Sequence, residues 1–371
     1  MRLLHVVATG QRRGAEMFAS DLVRALDGLG EFDQEVVVLH GPWPTAVRYE
    51  APVRPLRAKG RQLPGLRLDV GTLSDLRAAL GRFQPQIVHA HGGEAFKYSA
   101  IATAGRETSI VYRRIGTAPE TVTRGLRRRV HAALLRRSDR IVAVAESVRR
   151  ETLDTFRVPG ERVVTIPRGV DPQRVRAERD RAAVRRELGI GDDAPVVIAV
   201  GALSPEKDPL AHLDVCESLA RSVPDVVYLF AGDGPMREEL RAAVSTRGLE
   251  ERVRLLGTRT DIGDLLGASD VLVLASLTEG MPGCVIEAGM AGVPVVAFGM
   301  AGVPEVIVDG VTGSIVDPGD HAELTRRTLE LLVDVDRRSA MGRAAAERCR
   351  PAFDIGTVAR HYVDVYAEVA S

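Results

Sequence analysis

The sequence predicts an α/β protein made of two doubly wound, parallel-sheet domains. Its 371 residues are too many for one ordinary core and about right for two α/β domains. Short, near-continuous apolar runs alternate with helical segments in both halves, as buried parallel strands alternate with their crossover helices. The composition changes between Pro159 and Pro195, where a very charged segment lies at 174–187. This stretch is interpreted as the inter-domain linker and the first helix of the second domain.

The strands follow from the apolar runs. In the first half they are predicted at residues 3–8, 35–39, 87–90, 110–112 and 141–145, and in the second half at 196–200, 226–231, 253–256, 271–275 and 293–297. Helices are predicted at 15–29, 209–222, 235–247, 262–268 and 282–291, with two long helical segments at 321–350 and 355–370. Ligands of such sheets bind at the carboxyl ends of strands, so we expect the site in a cleft between the two domains.

Composition argues against several classes of protein. Basic and acidic residues balance at 50 each, so no global field would attract nucleic acid. The three cysteines are far apart and lack metal-ligand spacing, which suits a reducing compartment. Residues 1–10 are interpreted as a buried strand rather than a signal peptide, and no apolar run reaches membrane-spanning length. We therefore expect a cytoplasmic protein with no nucleic-acid partner.

The most informative segment is ASLTEGMPGCVIEAGMAGVPVVAFG, residues 275–299. A strand ends at Ala275, and Pro282 is well placed as the first residue of the next helix, where its missing N–H costs nothing. The amides at 283–285 would then point outward, and together with the helix dipole they form an anion site. Gly283 lets a ligand approach the backbone closely.

Two carboxylates, Glu279 and Glu287, flank this turn. Glu287 would hold the vicinal hydroxyls of a ribose, and Glu279 would lie nearer a transferred group. The alternative is that both are solvated surface residues. Because Glu287 lies in an otherwise apolar helix, where a carboxylate needs a partner, the functional interpretation is favoured.

Three other loops follow strands of the second half. Lys207, in VGALSPEKD, could neutralise a diphosphate or be a solvated lysine. Because lysine is rare in this Arg-rich chain, the diphosphate-binding role is favoured. Arg259, in LGTRTD, could stack on a nucleobase or simply be exposed, with neither favoured. The segment AGDGP is interpreted as a tight turn, because Arg237 stands where a dinucleotide fingerprint has its third glycine, and no Walker A motif is present.

The first half offers fewer signals. Gly14, in TGQRRGAE, and the helix start behind it form a second candidate anion nest. Alternation places His89 and His91, in IVHAHGG, on the same side of a strand, so at least one is expected to face the cleft as acceptor binder or proton relay. A structural role near the sheet end is an equal alternative. No third metal ligand stands out nearby, so no metal site is predicted.

The segment from Arg124 to Arg140 is predicted to form a basic amphipathic helix. Such a helix could contact an anionic membrane surface as a peripheral anchor, or meet a lipid-linked acceptor. A solvated helix in an Arg-rich protein is the modestly favoured alternative.

These segments together resemble the GT-B glycosyltransferases of family 4, the large retaining group. The order GxLxPEK, GDGP, LG-x-R-x-D, E-x7-E, AG-x-PE and DG-x-TG matches that family, with GAE at 14–16 and IP-x-GVD at 166–171 in agreement. The resemblance covers nearly the whole chain and is strongest over 196–318. It implies two Rossmann-like domains facing a central cleft: residues 1–172 with the C-terminal helix 355–371 on the acceptor side, and 173–354 on the donor side.

The resemblance also implies a reaction, the transfer of a sugar from a UDP- or GDP-sugar to a glycan, a lipid-linked acceptor or a small molecule, with no metal or further cofactor. The implied donor-binding residues are Gly14, Lys207, Arg259, Glu279, Gly280, Met281, Pro282, Gly283, Cys284, Val285 and Glu287. Lys207, Glu279 and His91 are the catalytic candidates. His91, Arg114 and Arg168 are the acceptor-side candidates.

Three positions depart from the family pattern. Ala202 stands where an arginine is usual, Arg114 lies where a histidine is frequent, and Arg168 replaces the asparagine of IPNGVD. Arg114 or Arg168 could supply the missing positive charge. Two alternatives to a transferase remain, a nucleotide-sugar 2-epimerase of the same layout and a non-catalytic nucleotide-sugar-binding partner protein.

Overall fold

The structure is a computed structural model that describes residues 1–41, 46–56, 62–63 and 68–370. Tertiary contacts divide the chain into two compact units. Unit 1 consists of Met1–Gly169 and Ile355–Ser371, and unit 2 consists of Val170–Asp354. Ser371, the last residue of the predicted C-terminal helix, lies outside the described residues.

Unit 1 is built on a parallel sheet. Its strands are β1 (Arg2–Thr9), β2 (Asp33–His40), β3 (Val53–Pro55), β4 (Gln62–Leu63), β5 (Leu68–Asp69), β6 (Ile87–His91), β7 (Ser109–Arg114), β8 (Arg140–Ala143) and β9 (Val163–Thr165). Its helices are α1 (Gly14–Asp27), α2 (Val70–Phe83), α3 (Gly93–Ala102), α4 (Glu120–Thr123), α5 (Gly125–Leu135), α6 (Glu146–Asp154) and the C-terminal α16 (Ile355–Ala370). The main sheet runs β3-β2-β1-β6-β7-β8-β9, while β4 and β5 form a separate antiparallel pair.

Unit 2 repeats the same architecture. Its strands are β10 (Val196–Val200), β11 (Val227–Ala231), β12 (Val253–Gly257), β13 (Val271–Leu274), β14 (Val295–Phe298) and β15 (Gly313–Val316), in the order β12-β11-β10-β13-β14-β15. Its helices are α7 (Pro172–Val175), α8 (Arg181–Glu187), α9 (Pro209–Ser222), α10 (Arg237–Thr246), α11 (Ile262–Ala268), α12 (Gly283–Ala291), α13 (Val303–Val306), α14 (His321–Val333) and α15 (Val335–Phe353).

The predicted fold class is confirmed, because both main sheets are parallel and most of their consecutive strands are separated by helices. In each sheet the strand order reverses at one point, between β1 and β6 in unit 1 and between β10 and β13 in unit 2. Loops that leave neighbouring strands in opposite directions open a crevice there, where open α/β sheets bind ligands. The short strands β3, β9 and β15 were not predicted.

The long basic helix predicted from Arg124 to Arg140 was wrong in extent. Helix α5 ends at Leu135, and Arg140 is the first residue of strand β8. Ser138 stops the helix by donating its hydroxyl to the Leu135 carbonyl at 2.6 Å, and the Asp139 carboxylate accepts from the amide of Ile110 at 2.7 Å. These hydrogen bonds fix the turn that leads into strand β8. The turn was not predicted, because the basic residues continue through it.

The C-terminal helix completes the core of unit 1. Tyr362 and Tyr366 of α16 are fully buried and pack in one apolar cluster with Leu3, Phe18 and other residues from the sheet. In unit 2, the long helical segment predicted at 321–350 is two helices that meet at Asp334, whose carboxylate caps α15 by accepting from the amide of Arg337. Within the described part of the chain, no helix combines the length and apolar character needed to cross a bilayer.

Candidate functional site

Two predicted site residues meet at the carboxyl ends of the unit 2 strands. Lys207 ends a 3-10 turn, Pro205–Lys207, after β10, and Glu279 lies in the loop after β13. The Lys207 ammonium donates to the Glu279 carboxylate at 2.5 Å, with side-chain exposures of 30% and 7%. The strand-end position that the sequence predicted for each residue therefore places them in direct contact, beside the crevice of the sheet.

The backbone also ties the loops of this site together. The amide of Leu277 donates to the carbonyl of Glu206 at 2.9 Å, and the amide of Gly302 donates to Gly280 at 2.7 Å. The loop after β13 is thus held to the loops after both neighbouring strands, β10 and β14. A site fixed by main-chain bonds is pre-organised, which lowers the cost of binding a ligand.

The GDGP turn supports the loop that carries Lys207. A Cβ atom at Gly232 would lie 1.7 Å from the carbonyl oxygen of Gly201, and one at Gly234 would lie 2.3 Å from that of Leu203. The amide of Leu203 donates to Asp233 at 3.1 Å across the same contact. These two glycines are therefore required by the close backbone packing, in agreement with a turn that shapes the site.

Helix α12 begins beside this ion pair. It starts at Gly283, one residue later than predicted, and Pro282 is the N-cap residue with extended backbone and no side-chain cap. The N-terminus of a helix carries a partial positive charge, which favours an anionic ligand there. Of the predicted donor-binding residues around this turn, Met281, Pro282, Gly283 and Val285 are buried, whereas Gly280 and Cys284 are partly exposed.

Glu287 has the partner that its apolar helix requires. The guanidinium of Arg174 donates to the Glu287 carboxylate at 2.9 Å, and both side chains are 12% exposed. Arg174 lies on the short helix α7, where Asp171 caps the first turn by accepting from the amide of Gln173. Sequence reasoning missed Arg174, because nothing distinguishes it among the many arginines except its position just after the IP-x-GVD motif.

Arg259 is held in a network of ion pairs. Its guanidinium donates to both carboxylate oxygens of Asp261, at 2.8 and 2.6 Å, and contacts Glu187 at 3.3 Å. The Asp261 carboxylate raises the pKa of Arg259 further above its ordinary value. These acidic neighbours therefore set the orientation of the Arg259 guanidinium, the group predicted to stack on a nucleobase.

A small cavity of about 20 Å³ lies next to Lys207. It is lined by the loop after β10, including Gly201 and Ala202, and by Ser276 after β13. Ala202 stands at its wall, where the family pattern has an arginine, and adds no positive charge.

In unit 1, the structure brings Gly14 and Arg168 together. Gly14 is the first residue of α1, and the Arg168 guanidinium Nη1 lies 2.9 Å from the point that a Cβ of Gly14 would occupy. The absence of a side chain at Gly14 is what permits this approach. Two residues predicted separately, one for the anion nest and one for the acceptor side, are thus neighbours.

His91 and His89 lie in a buried histidine cluster that includes His5 from β1. His5 Nδ1 and His91 Nε2 are 3.0 Å apart, and His89 Nδ1 is 2.7 Å from the hydroxyl of Tyr366. Burial lowers the pKa of His5 to about 4, and it lowers the pKa values of His89 and His91 well below the ordinary value. All three rings are therefore neutral at pH 7.

The expectation that no third metal ligand lies near these histidines was wrong. Ligand atoms of His5, His89 and His91 lie within 4.8 Å of one another. The neighbouring Arg113 guanidinium adds to the lowering of the His89 and His91 pKa values, and the same positive charge would repel a metal ion. His5 was overlooked because only strand pairing places β1 beside β6.

Arg114, one of the acceptor-side candidates, is buried and paired with residues of unit 1. Its guanidinium forms an ion pair with Glu151 and donates to the Thr152 hydroxyl at 2.8 Å, both on α6. It also lies over the ring of Phe156, 4.9 Å from the centroid. The residue is 2% exposed, so its charge is already balanced by Glu151 and is unavailable to replace the missing arginine of the family.

Two family models match consecutive parts of the chain. The model described as Glycosyltransferase Family 4 matches residues 12–174, and the model described as Glycosyl transferases group 1 matches residues 180–348. The boundary between the two matches falls close to the boundary between units 1 and 2. Each unit is therefore matched for most of its length by one of the two models.

Among curated relatives, the N-acetyl-alpha-D-glucosaminyl L-malate synthase of Bacillus anthracis is 29% identical over 63% of this chain and 61% of its own length. A D-inositol 3-phosphate glycosyltransferase of Nocardia farcinica is 29% identical over 77% of this chain and 63% of its own. A GDP-mannose-dependent mannosyltransferase of Mycolicibacterium smegmatis, which acts on phosphatidylinositol monomannoside, is 34% identical over half of each chain. The chain thus matches about half to two thirds of the length of these relatives.

Solved structures share the fold over the full length. Anabaena HepE in complex with UDP and glucose superimposes with a TM-score of 0.86, at 22% identity over 99% of this chain and all of the other. The lipopolysaccharide glycosyltransferase WaaG gives a TM-score of 0.77 at 16% identity, over 98% and 99% of the two chains. With both halves of the family pattern matched, this chain belongs to the GT-B glycosyltransferases of family 4.

Proposed function

We propose that the protein is a retaining glycosyltransferase, which moves a sugar from a UDP- or GDP-sugar to a glycan, a lipid-linked acceptor or a small molecule. The observation that carries the proposal is the contact of Lys207 with Glu279 beside the start of α12. This places an ammonium, a carboxylate and the N-terminus of a helix at one end of a parallel sheet. Such a set can bind a diphosphate and the sugar attached to it.

In this proposal unit 2 binds the donor. Lys207 and the first amides of α12 hold the diphosphate, and residues 280–285 line the donor-binding site around it. Glu287 accepts hydrogen bonds from the ribose hydroxyls, and Arg174 holds its carboxylate in place at 2.9 Å. Arg259, fixed by Asp261, lies on the nucleobase side. Unit 1 takes the acceptor, with His91 and Arg168 as its candidate contacts, whereas Gly14 donates its amide to the diphosphate of the donor.

The proposed chemistry is electrostatic. As the bond between the sugar and the diphosphate breaks, negative charge grows on the leaving phosphate, and Lys207 and the helix amides stabilise it. Glu279 meanwhile positions the sugar. The acceptor attacks from the same face that the leaving group occupied, so the anomeric configuration is retained. His91, which is neutral because burial lowers its pKa, is the candidate proton relay.

A thermal-shift screen with UDP, GDP, ADP, CDP and dTDP tests the donor site. A ligand that binds only the native state raises the melting temperature. We expect one nucleotide to stabilise the wild type and to lose that effect in Lys207→Ala and Glu287→Ala. Lys97→Ala is the matched control, because Lys97 also pairs with a glutamate, at 2.9 Å, but lies in unit 1. A nucleotide effect that survives both site variants would refute the assignment.

The names of the matched relatives favour transfer over epimerisation and over a non-catalytic role, since those relatives are transferases or synthases. The distinction is measurable once the donor nucleotide is known. A 2-epimerase would convert the nucleotide sugar without an acceptor, whereas a transferase releases the nucleotide at a rate that rises with acceptor. A binding protein would do neither, while still showing the thermal shift.

We also propose a peripheral membrane contact through α5. Leu126 and Val130, one turn apart, are 75% and 52% exposed. Six arginines and no acidic residue lie between positions 124 and 137. An apolar stripe bordered by arginines suits the interface of an anionic bilayer.

Vesicle sedimentation tests this contact. We expect binding to phosphatidylglycerol vesicles, little binding to phosphatidylcholine, and a loss of about tenfold in Leu126→Ser/Val130→Ser. Val311→Ser is the control, because Val311 is similarly exposed, at 55%, but lies in unit 2. Equal binding by the double variant and the wild type would show that α5 is only a solvated helix.

A further inference from the structure

A line of hydrogen bonds joins three buried side chains of the unit 1 sheet. Gln34 of β2 bonds His5 of β1, and His5 bonds His91 of β6. The three strands are neighbours in the order β2-β1-β6, and none of the three residues is more than 5% exposed. The line ends at His91, the last residue of its strand, where the strand order of the sheet reverses.

The orientation of Gln34 is determined by its second contact. Its side-chain nitrogen Nε2 lies 3.1 Å from the carbonyl oxygen of Val23, which can only accept a hydrogen bond. The NH2 group of the amide must therefore face Val23, and the amide oxygen must face His5 Nε2, which is 3.1 Å away. Because the amide oxygen also only accepts, His5 carries a proton on Nε2.

The tautomers of both histidines follow from this proton. Burial lowers the pKa of His5 to about 4 and the pKa of His91 well below its ordinary value, so both rings are neutral at pH 7. A neutral imidazole has one N–H and one lone pair, so His5 Nδ1 is an acceptor. It lies 3.0 Å from His91 Nε2, which must therefore carry the proton of His91. His91 Nδ1 is left with a lone pair.

That lone pair has no partner within the described part of the chain. No residue there donates a hydrogen bond to His91 Nδ1, and the atom is shielded from water. Buried acceptors are normally paired, because an unpaired one costs the free energy of removing it from water. The next two residues are Gly92, the N-cap of α3, and Gly93, which is exposed. Neither has a side chain to cover the end of β6, so a ligand can approach there.

We propose that Gln34 and His5 are positioning residues, which hold His91 in the tautomer whose Nδ1 accepts a hydrogen bond from the attacking hydroxyl of the acceptor. The inference rests on the proposed function, in which unit 1 takes the acceptor, and it specifies the atom that makes one contact. It also specifies the chemistry of the bound group, because a lone pair requires a donor. A phosphate or carboxylate would place one acceptor against another.

The tautomer is measurable without any substrate. Isotopic labelling of the histidine nitrogens and long-range proton–nitrogen NMR spectra of the full chain show which ring nitrogen carries the proton, and His91→Gln identifies the His91 signals. We expect an unprotonated Nδ1 in the wild type and a mixture of tautomers in Gln34→Met, which removes the amide. A protonated Nδ1 in the wild type, or an unchanged tautomer in Gln34→Met, would overturn the inference. The wild-type spectrum decides alone if Gln34→Met does not fold.

Two substitutions at His91 separate a structural role from contact with the acceptor. An asparagine places its amide near the position of Nδ1, whereas a glutamine reaches the position of Nε2. His91→Gln can therefore keep the bond to His5, and it should be the more stable variant. His91→Asn keeps a group that accepts from the attacking hydroxyl. We expect the opposite order in turnover, with His91→Gln at least about tenfold slower than His91→Asn.

The probes are UDP-glucose and GDP-glucose, because in their hydrolysis water takes the place of the acceptor hydroxyl. Release of the nucleoside diphosphate is measured per folded protein. His89→Asn and His89→Gln are the matched controls, since His89 is buried in the same cluster but bonds the hydroxyl of Tyr366. The two control variants should turn over at equal rates.

The outcomes separate this inference from the proposed function. Faster turnover by His91→Gln than by His91→Asn would follow stability, make His91 a structural residue and overturn the inference. Unchanged thermal shifts with nucleotide in both His91 variants are expected, because His91 is not part of the proposed donor site. A wild type that binds no nucleotide and hydrolyses neither probe would refute the proposed function, whereas the NMR measurement would still decide the tautomer.

Discussion

Mild acid should destabilise this protein through the buried histidines of unit 1. His5, His89 and His91 are neutral in the folded state because burial lowers their pKa values, to about 4 for His5. In the unfolded chain a histidine titrates near 6.5. A group whose folded pKa is depressed contributes stability above the unfolded pKa, and that stability is lost as the pH falls below it.

The size of the effect follows from this difference. At pH 5, about 1.5 units below the unfolded pKa, each histidine that stays neutral in the fold costs about 2 kcal/mol. For His5 this loss is about 2 kcal/mol. Burial lowers the pKa values of His89 and His91 in the same direction, so they add to the loss. Glu16 opposes part of this loss, because burial raises its pKa and the folded state takes up its proton more readily.

The assay is urea denaturation at about pH 7.5, 6.5, 5.8 and 5.0, with hydrogen exchange to separate the two units. Unit 2 has one comparable group, His212, whose pKa burial lowers to about 4, so unit 1 should lose more stability. His5→Gln, which keeps a hydrogen-bonding group beside Gln34, should remove about 2 kcal/mol of the loss at pH 5. Equal stability of the wild type at pH 7.5 and 5.0, or an unchanged slope in His5→Gln, would refute the reasoning.

Three further predictions concern the proposed donor site and its support. Lys207→Ala should lower the rate of sugar transfer about 10²-fold or more, because it removes charge stabilisation of the leaving phosphate, and steady-state kinetics beside Lys97→Ala would measure this. Arg174→Met should weaken nucleoside diphosphate binding about tenfold, because it releases the Glu287 carboxylate. Arg174→Lys should retain part of the binding affinity. If calorimetry shows no change of affinity in Arg174→Met, Arg174 does not position Glu287. Gly234→Ala should cost about 3 kcal/mol or more in unfolding free energy, because its Cβ would lie 2.3 Å from a backbone oxygen. Gly28→Ala, whose Cβ would find its nearest neighbour at 3.6 Å, should change that free energy by less than about 1 kcal/mol.

The sequence by itself determined the local elements of both sheets. The apolar runs at 196–200 and the helices at 209–222 and 262–268 were predicted with the bounds that the structure has. Strand-end loops carry chemistry in such folds whatever their residues, so Lys207 and Glu279 could be identified as site candidates without coordinates. Their positions depend only on which strand precedes each loop, and local pattern reveals that.

The partners of those residues were decided by the tertiary structure. Arg174 reaches Glu287 from more than a hundred positions earlier in the chain, and His5 joins His91 because β1 lies between β2 and β6. No local pattern encodes such pairs, because they depend on strand order and on which face each strand presents. The same cause separates Arg113 from Arg114. Alternation directs Arg114 to Glu151, whereas Arg113 points to the opposite face and contacts the ring of Phe18.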